Sequence, residues 1–432
     1  MTCRTKICVK EVWWSMDHSQ YLCLLLQIFV TGAATASIHE ISVNGKQTLQ
    51  RNTLPSGACI WHKNSGHHRA PCDFEVVDME FLDVLGRVPK LEFIKKAPAH
   101  EGGVYFPDKG EYYFSSPWNS NELPGKPVNL MKMSLKTREV SFVSKTTMAN
   151  GMTLDNIGNL VVCEQGFLEK RGSIQKINLH NMTSTIAADN WKGLPFNSPN
   201  DVVVKSDNSI WFTDPDYGQT QHFKGPSEIG KNQVYRVSIN GDVRAVADGF
   251  TKPNGLAFSP DEKLLYVTDT GTTVGYLSFC TLNYSNSLMR RNEALYWLIK
   301  TSVPLLLRDG TFDPTKPHDI NVFDVEGSIL SNRRVFASVA VLEGSLPSIG
   351  VPDGIKVDTQ GRVYTANQDG IQVFSPKGKL LGLIRVQGAV NMGFVGPHLD
   401  QMIITNSTAI HSVQLNVQAA GLLYAKAYHH HP

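Results

Sequence analysis

The stretch NDVVVKSDNSIWFTD, from Asn200 to Asp214, decides the fold because its order of residue types recurs along the chain. Each copy starts with a polar residue, continues with a short apolar strand and a turn containing Asp, Pro or Gly, and ends with a second apolar strand. The other copies are EGGVYFPDKGEYYFSS (Glu101 to Ser116), NGMTLDNIGNLVVCE (Asn150 to Glu164), NGLAFSPDEKLLYVTD (Asn254 to Asp269), DGIKVDTQGRVYTA (Asp353 to Ala366) and NMGFVGPHLDQMIITN (Asn391 to Asn406). Most copies begin about 40 to 55 residues apart, which is the period of four-stranded propeller blades. We therefore predict an all-β fold, a six-bladed β-propeller.

The first residue of every copy carries a side-chain oxygen. These residues are Glu101, Asn150, Asn200, Asn254, Asp353 and Asn391. Equivalent positions of a radial repeat surround one axis, so the repetition predicts a metal site at one end of the central tunnel. Carboxylate and amide oxygens suit Ca²⁺, or Mg²⁺ or Mn²⁺ where there is less room, better than they suit Zn²⁺.

A turn offers another interpretation of the same residues, since Asn or Asp before Gly often forms one through side-chain to backbone hydrogen bonds. Two copies argue against turns alone. Glu101 is a poor turn former, and Asn200 is followed by Asp rather than Gly.

Regions outside the repeats divide the rest of the chain. Arg4, Lys6 and Lys10 precede an apolar run from Tyr21 to Val30 and then Ala34-Thr35-Ala36, the order typical of a secretory signal peptide. We predict a signal peptide over 1–36, an extension over 37–73, the propeller over 74–418 and a tail over 419–432. Secretion follows from this reading, and a cytoplasmic protein with a wrongly assigned start is the alternative.

Two segments near the repeats need separate explanations. The interval from Asn254 to Asp353 is almost double the others, and 277–308 lacks the blade pattern. We interpret 277–308 as an insertion, either a surface element or translated intron sequence. Leu82 to Lys95 is predicted to supply the strand that closes the ring with the last blade.

Cysteines and sequons fit an exported protein. Cys59 and Cys72 are near enough in sequence to form a disulfide across a loop, as an oxidising compartment allows. Sequons begin at Asn181, Asn283 and Asn406 and permit glycosylation.

Composition excludes some partners. The net charge is +2, and the sequence has no basic stripe with interleaved aromatic residues, so nucleic-acid binding is not expected. After removal of the leader no membrane association is expected, and oligomeric state is left open.

Three segments carry a family resemblance. SPNDVVVKSDNSIWFTDPDYG (Ser198 to Gly218), PNGLAFSPDEKLLYVTDTG (Pro253 to Gly271) and PDGIKVDTQGRVYTANQDGIQVFSP (Pro352 to Pro376) resemble the SMP-30/gluconolactonase (regucalcin-like) family. HEGGVYF, from His100 to Phe106, looks like that family's first metal-ligand segment, and the whole chain is most similar to its fungal lactonohydrolases. The resemblance implies a six-bladed propeller that hydrolyses lactones.

The resemblance also implies roles for individual residues. Its metal ligands correspond here to Glu101, Asn200, Asn254 and Asp353. Asn150 and Asn391 would then line the same tunnel mouth, where they either support the metal ligands or contact the substrate. The family's Arg-containing substrate segment is not evident after the second repeat, so the resemblance leaves the substrate open.

The expected reaction is metal-dependent hydrolysis of a small hydroxylated lactone, such as gluconolactone or pantolactone. Asp353 is the predicted catalytic residue that activates water, and Glu164, which ends a repeat strand, is an alternative base or substrate contact. No Gly-x-Ser-x-Gly motif with triad partners is visible, which argues against a serine hydrolase. An arylesterase or phosphotriesterase on the same scaffold, and a non-enzymatic calcium-binding propeller, are the alternatives.

Overall fold

The computed structural model describes residues 54–61, 72–118, 128–168, 170–271, 316–339 and 351–420. The predicted signal peptide (1–36), the insertion (277–308), the sequon at Asn283 and most of the tail lie outside these residues. Within them, nearly all regular structure is β-strand, in six sheets arranged as a six-bladed β-propeller. The predicted fold class is confirmed.

Four elements precede the first repeat: β1 (Ala58–Ile60), β2 (Phe74–Val76), the helix α1 (Phe81–Leu85) and β3 (Leu91–Lys96). Blade I contains β4 (Val104–Phe106), β5 (Glu111–Ser115), β6 (Asn129–Ser134) and β7 (Val140–Lys145), with a 3₁₀ turn at Pro107–Lys109. Blade II contains β8 (Ala149–Leu154), β9 (Asn159–Glu164), β10 (Ser173–Asn178) and β11 (Ser184–Ala188), and a small hairpin follows, β12 (Asn190–Trp191) with β13 (Leu194–Pro195).

The later blades repeat this order. Blade III contains β14 (Val202–Val204), β15 (Ile210–Asp214), β16 (Gln233–Val237) and β17 (Val243–Ala247), with the helix α2 (Tyr217–Thr220) after β15. Blade IV contains β18 (Pro253–Phe258), β19 (Leu264–Asp269), β20 (Asp319–Glu326) and β21 (Ile329–Ser338). Blade V contains β22 (Ile355–Val357), β23 (Val363–Asn367), β24 (Gly370–Phe374) and β25 (Leu380–Ile384), and blade VI contains β26 (Asn391–Val395), β27 (Gln401–Thr405) and β28 (Ala409–Gln414).

Each quoted repeat therefore forms the first two strands of one blade, as the repeat pattern predicts. The interruption in blade IV leaves the ladder intact, because β19 pairs with β20 in a register that sets Asp269 opposite Asp319. The two sides of the long interval thus meet as neighbouring strands.

Strands from the N-terminal side complete the last two blades. β3 pairs antiparallel with β28 and closes the ring as the fourth strand of blade VI. β2 adds to β25 of blade V, and β1 adds parallel to β2. The predicted closing segment is correct for Leu91 to Lys95 and wrong for Leu82 to Leu85, which is helical because Phe81, Val84 and Leu85 bury one face of a helix.

The hydrophobic core lies between neighbouring blades. Leu160 and Val162 of β9 pack with blade I, whereas Val161 and Cys163 of the same strand pack with blade III. Second strands such as Ile210–Asp214 are buried along their whole length rather than on one face. Each blade is covered by neighbours on both faces, so its inner strands need apolar residues in both directions.

Two further findings concern covalent structure and membranes. Cys59 and Cys72 form a disulfide, a pairing that their closeness in sequence permits but does not establish. No helix among the described residues combines the length and hydrophobicity needed to cross a bilayer.

Candidate metal centre

The six leading residues lie at the starts of the innermost strands, and hydrogen bonds connect them from blade to blade. Gly151 N donates to Asn200 O over 2.7 Å, which joins blade II to blade III. Gly354 N donates to Val390 O over 3.1 Å, next to Asn391. The ring is closed by a side-chain bond, because Asn391 Nδ2 donates to Glu101 Oε2 over 2.7 Å.

The glycine after a leading residue lets the next blade approach closely. A Cβ atom on Gly151 would lie 2.7 Å from Asn200 O, and one on Gly255 would lie 2.4 Å from Asp353 O. These distances are too short for any side chain. The Asn-Gly and Asp-Gly pairs therefore serve packing around the axis, which the turn interpretation did not anticipate.

The side chains of several leading residues form one hydrogen-bonded group. The carboxyl groups of Glu101 and Asp353 interact with each other, and the Asn254 amide interacts with Asp353. Asn254 Nδ2 additionally donates to the Tyr217 hydroxyl over 3.2 Å. Together with the Asn391 bond to Glu101, these contacts bring together both predicted carboxylate ligands and one predicted amide ligand.

Electrostatics in this group favour bound positive charge. Burial raises the pKa of Glu101 well above its usual value, and the neighbouring Asp353 charge raises it further. Burial likewise raises the pKa of Asp353 to about 7, although its interactions with Glu101 and Asn254 oppose the rise. Two buried neighbouring carboxyl groups favour a proton on one of them, and a divalent cation can replace that proton.

Unpartnered oxygens test whether these residues fit a cation. Asn150 Oδ1, Asn200 Oδ1 and Asp353 Oδ1 are buried, and none has a hydrogen-bond partner among the described residues. Buried polar atoms normally find partners, so three such oxygens on one ring are best explained by a ligand. All three are hard oxygen donors of the kind that Ca²⁺ takes. The residues present fit a divalent cation, and the assignment of Glu101, Asn200, Asn254 and Asp353 as its ligands stays a prediction.

Glu164 differs from the leading residues in its surroundings. It is 3% exposed, at the end of β9. One carboxylate oxygen accepts a hydrogen bond from the Thr147 backbone, and Oε2 has no partner among the described residues. Burial raises the pKa of Glu164 to about 7.

The sequence analysis did not identify two neighbours of these side chains, the acidic residue Asp201 and the aromatic residue Tyr217. Asp201 is buried, and its charge raises the pKa of both Glu101 and Asp353. The signal was available, because Asp201 occupies the position held by Gly in other repeats. Tyr217 lies in the helix after β15, outside the repeated strands, and no repeat register marks it as a partner of Asn254.

A cavity of about 320 Å³ continues along the tunnel beyond the ring of leading residues. Its walls come from the inner strands of all six blades, and Lys356 lines it. The positive charge of Lys356 counteracts the burial of Asp201 by lowering the pKa of that carboxyl. None of the six leading residues lines this cavity; they lie where the inner strands begin.

Comparison with known proteins places this architecture in a family. The model of the SMP-30/Gluconolactonase/LRE-like region matches residues 100–278 and 312–408, more than half of the chain. The chain belongs to this family. The predicted family resemblance is confirmed.

Individual relatives are enzymes by name. A gluconolactonase from Zymomonas mobilis is 28% identical over 238 residues, which cover 55% of this chain and 54% of that protein. The lactonohydrolase oryL from Aspergillus oryzae is 27% identical over 335 residues, covering 74% of this chain and 69% of the relative. The chain thus spans about half the length of the first relative.

A solved structure agrees with the fold. The gluconolactonase from Xanthomonas campestris superposes with a TM-score of 0.59 and 26% identity, covering 79% of this chain and 95% of that one.

Proposed function

We propose that the protein is a divalent-cation-dependent lactonase that opens a small hydroxylated lactone, such as an aldonolactone or pantolactone, to the hydroxy acid. The observation that carries this proposal is the ring of oxygen donors, in which three buried oxygens have no partner within the part of the chain that the structure describes. Family membership and the names of the relatives support the reaction class.

Glu101, Asn200, Asn254 and Asp353 would hold the cation. When bound, such an ion polarises the lactone carbonyl and lowers the pKa of water beside it. Calcium is the ion that this mixture of carboxylate and amide oxygens suits best, and magnesium, manganese and zinc are the ions to compare with it.

Asp353 is the residue that we assign to the proton of the attacking water. Its Oδ1 is buried and has no hydrogen-bond partner among the described residues, and the side chain interacts with Glu101 and Asn254. Water adds to the carbonyl carbon, the ring C–O bond breaks, and the proton passes to the leaving alkoxide. The products are a carboxylic acid and a hydroxyl on one molecule.

Two further leading residues have different parts. Asn150 Oδ1 has no partner among the described residues and is free to accept a hydrogen bond from a substrate hydroxyl. Asn391 donates to Glu101, so we assign it to orienting that carboxylate rather than to direct substrate contact.

The compartment is part of the proposal. The Cys59–Cys72 disulfide fits an oxidising environment, and we propose that the protein is secreted and meets its substrate there. The described residues at Asn181 form an exposed turn that a glycan could occupy.

A substrate panel tests the proposal. Gluconolactone, pantolactone, phenyl acetate and a phosphotriester are assayed with the calcium-loaded protein and after chelation. We expect hydrolysis of a lactone, its loss with chelator, and recovery with Ca²⁺ but not with Zn²⁺. Turnover of the aryl ester or phosphotriester alone would replace the lactonase assignment with the alternative hydrolase.

A variant separates catalysis from calcium binding alone. Asp353→Asn should reduce kcat to near background, whereas Asp242→Asn, on an exposed outer turn, should behave as the unaltered protein. If every lactone and ester rate is already at background in a protein that binds calcium, the non-enzymatic propeller is the correct reading.

A further inference from the structure

The strand ends of blades III and IV hold the backbone that leads into two predicted ligands. Asp214, at the end of β15, accepts hydrogen bonds from Asn197 N at 2.9 Å and Ser198 N at 2.7 Å. Both carboxylate oxygens are used, one for each donor. The segment held by these hydrogen bonds continues to Asn200, two residues after Ser198.

Blade IV repeats this arrangement in the same register. Asp269, at the end of β19, accepts hydrogen bonds from Thr251 N at 3.0 Å and Lys252 N at 2.7 Å. Asn254 follows Lys252 by two residues. In both blades, the aspartate at the end of the second strand therefore holds the backbone that precedes the amide ligand of the same blade.

The threonine before each of these aspartates reaches the next blade. Thr213 Oγ1 donates to Asn254 O over 2.6 Å and accepts from Asp201 N at 3.1 Å. Thr268 Oγ1 donates to Asp353 O over 3.0 Å. One hydroxyl thus joins blade III to the ligand of blade IV, and the other joins blade IV to the ligand of blade V.

The same relation occurs where the ring closes. Thr405, at the end of β27, donates through Oγ1 to His100 O over 2.6 Å, directly before Glu101. All three threonines are fully buried, so water cannot replace these bonds. Blade II has Cys163 at the corresponding position, without a hydroxyl.

We propose that the pairs Thr213–Asp214 and Thr268–Asp269 are positioning residues that set the spacing of the predicted cation ligands. Each aspartate fixes the ligand of its own blade, and each threonine fixes the ligand of the next. Hydrogen bonds thereby connect the predicted ligands Asn200, Asn254 and Asp353. The threonine–aspartate pairs act without contacting the cation themselves. This inference rests on the proposed cation site and adds the residues that determine its geometry.

Calcium titration of single variants tests the pairs. Thr213→Val keeps the shape of the side chain and removes the hydroxyl, and Thr213→Ser restores it. Thr365→Val is the control, since Thr365 is a fully buried threonine on the second strand of blade V, one residue before the position that corresponds to Thr213. Among the described residues, its hydroxyl contacts only backbone oxygens of its own blade, at 3.3 and 3.5 Å. Calorimetry gives the Kd for Ca²⁺, and thermal unfolding in chelator gives the stability of the cation-free fold.

We expect Thr213→Val to raise the Kd about 10- to 100-fold, the usual effect of losing a hydrogen bond behind a metal ligand. Thr213→Ser and Thr365→Val should bind calcium nearly as the unaltered protein does. Thr268→Val should reproduce the loss and serves as the second variant if Thr213→Val does not fold.

The outcomes separate this inference from the proposed function. If the unaltered protein binds no divalent cation, the proposed site and this inference both fail. If it binds calcium, and both valine variants match the Kd of Thr365→Val while lowering only the melting temperature in chelator, the pairs are merely structural and this inference alone is wrong.

Discussion

Replacing Glu164 by Gln should make the protein more stable at neutral pH. The side chain is 3% exposed, and burial raises its pKa from 4.5 to about 7. Because the folded-state pKa is above that of the unfolded chain, the stability that the protonated form provides is fully present below pH 4.5. It is lost as the pH rises through about 7.

The size of the effect follows from the pKa difference. The rise from 4.5 to about 7 corresponds to a free energy on the order of 3 kcal/mol, taking about 1.4 kcal/mol for each pH unit. Glutamine keeps an oxygen for the Thr147 backbone and carries no charge at any pH. The variant and the unaltered protein should therefore match near pH 4.5, and the variant should be more stable at pH 8.

Urea unfolding at a series of pH values between 4.5 and 8, in chelator, measures this difference. Lactone hydrolysis by the same variant then tests the alternative assignment of Glu164 as a base or substrate contact. A stabilised variant with a reduced kcat would show that the reaction uses the carboxylate. If the two proteins show the same dependence of unfolding free energy on pH, the burial argument for Glu164 is refuted.

Three other predictions follow from packing and connectivity. Gly255→Ala places a Cβ 2.4 Å from the carbonyl oxygen of the next blade's aspartate and should weaken calcium binding in calorimetry, whereas Gly225→Ala, with no atom within 4 Å, should not. Cys72→Ser opens a disulfide that spans 13 residues and should cost roughly 3 kcal/mol of unfolding free energy in urea titrations; an unchanged midpoint would contradict this. Deleting 277–308 should leave the melting temperature and calcium affinity nearly unchanged, because the strands on either side pair directly, and a large loss of either would show that the segment supports the fold.

The propeller was predictable because one short sequence repeat forms the same pair of strands in every blade. The six leading residues occupy the same position in their repeats, and each therefore lies at the start of the innermost strand of its blade. The burial of individual strands was harder to predict. Strands such as Ile210–Asp214 are buried along their whole length, because neighbouring blades lie on both faces of each sheet. That coverage is a property of the assembled ring, and no single repeat contains it.

The candidate site could be predicted only in part from the sequence, because several of its contacts join different blades. Glu101 and Asp353 stand out as the two carboxylates among the leading residues, and in the structure each affects the pKa of the other. The partnership between Thr213 and Asn254 spans 41 residues, and no spacing within one repeat predicts a bond to the next. Tyr217 comes from a short helix without a counterpart after the second strand in the described residues of the other blades, so repetition gave no sign of it.

The joining of β3 to β28 has a consequence for synthesis. The ribosome must have produced the chain as far as Gln414 before blade VI can receive its fourth strand, so a growing chain keeps an open seam with exposed strand edges until then. Products shortened before β28 would retain that seam permanently, and quality-control proteases and chaperones should recognise them even when the first five blades are intact.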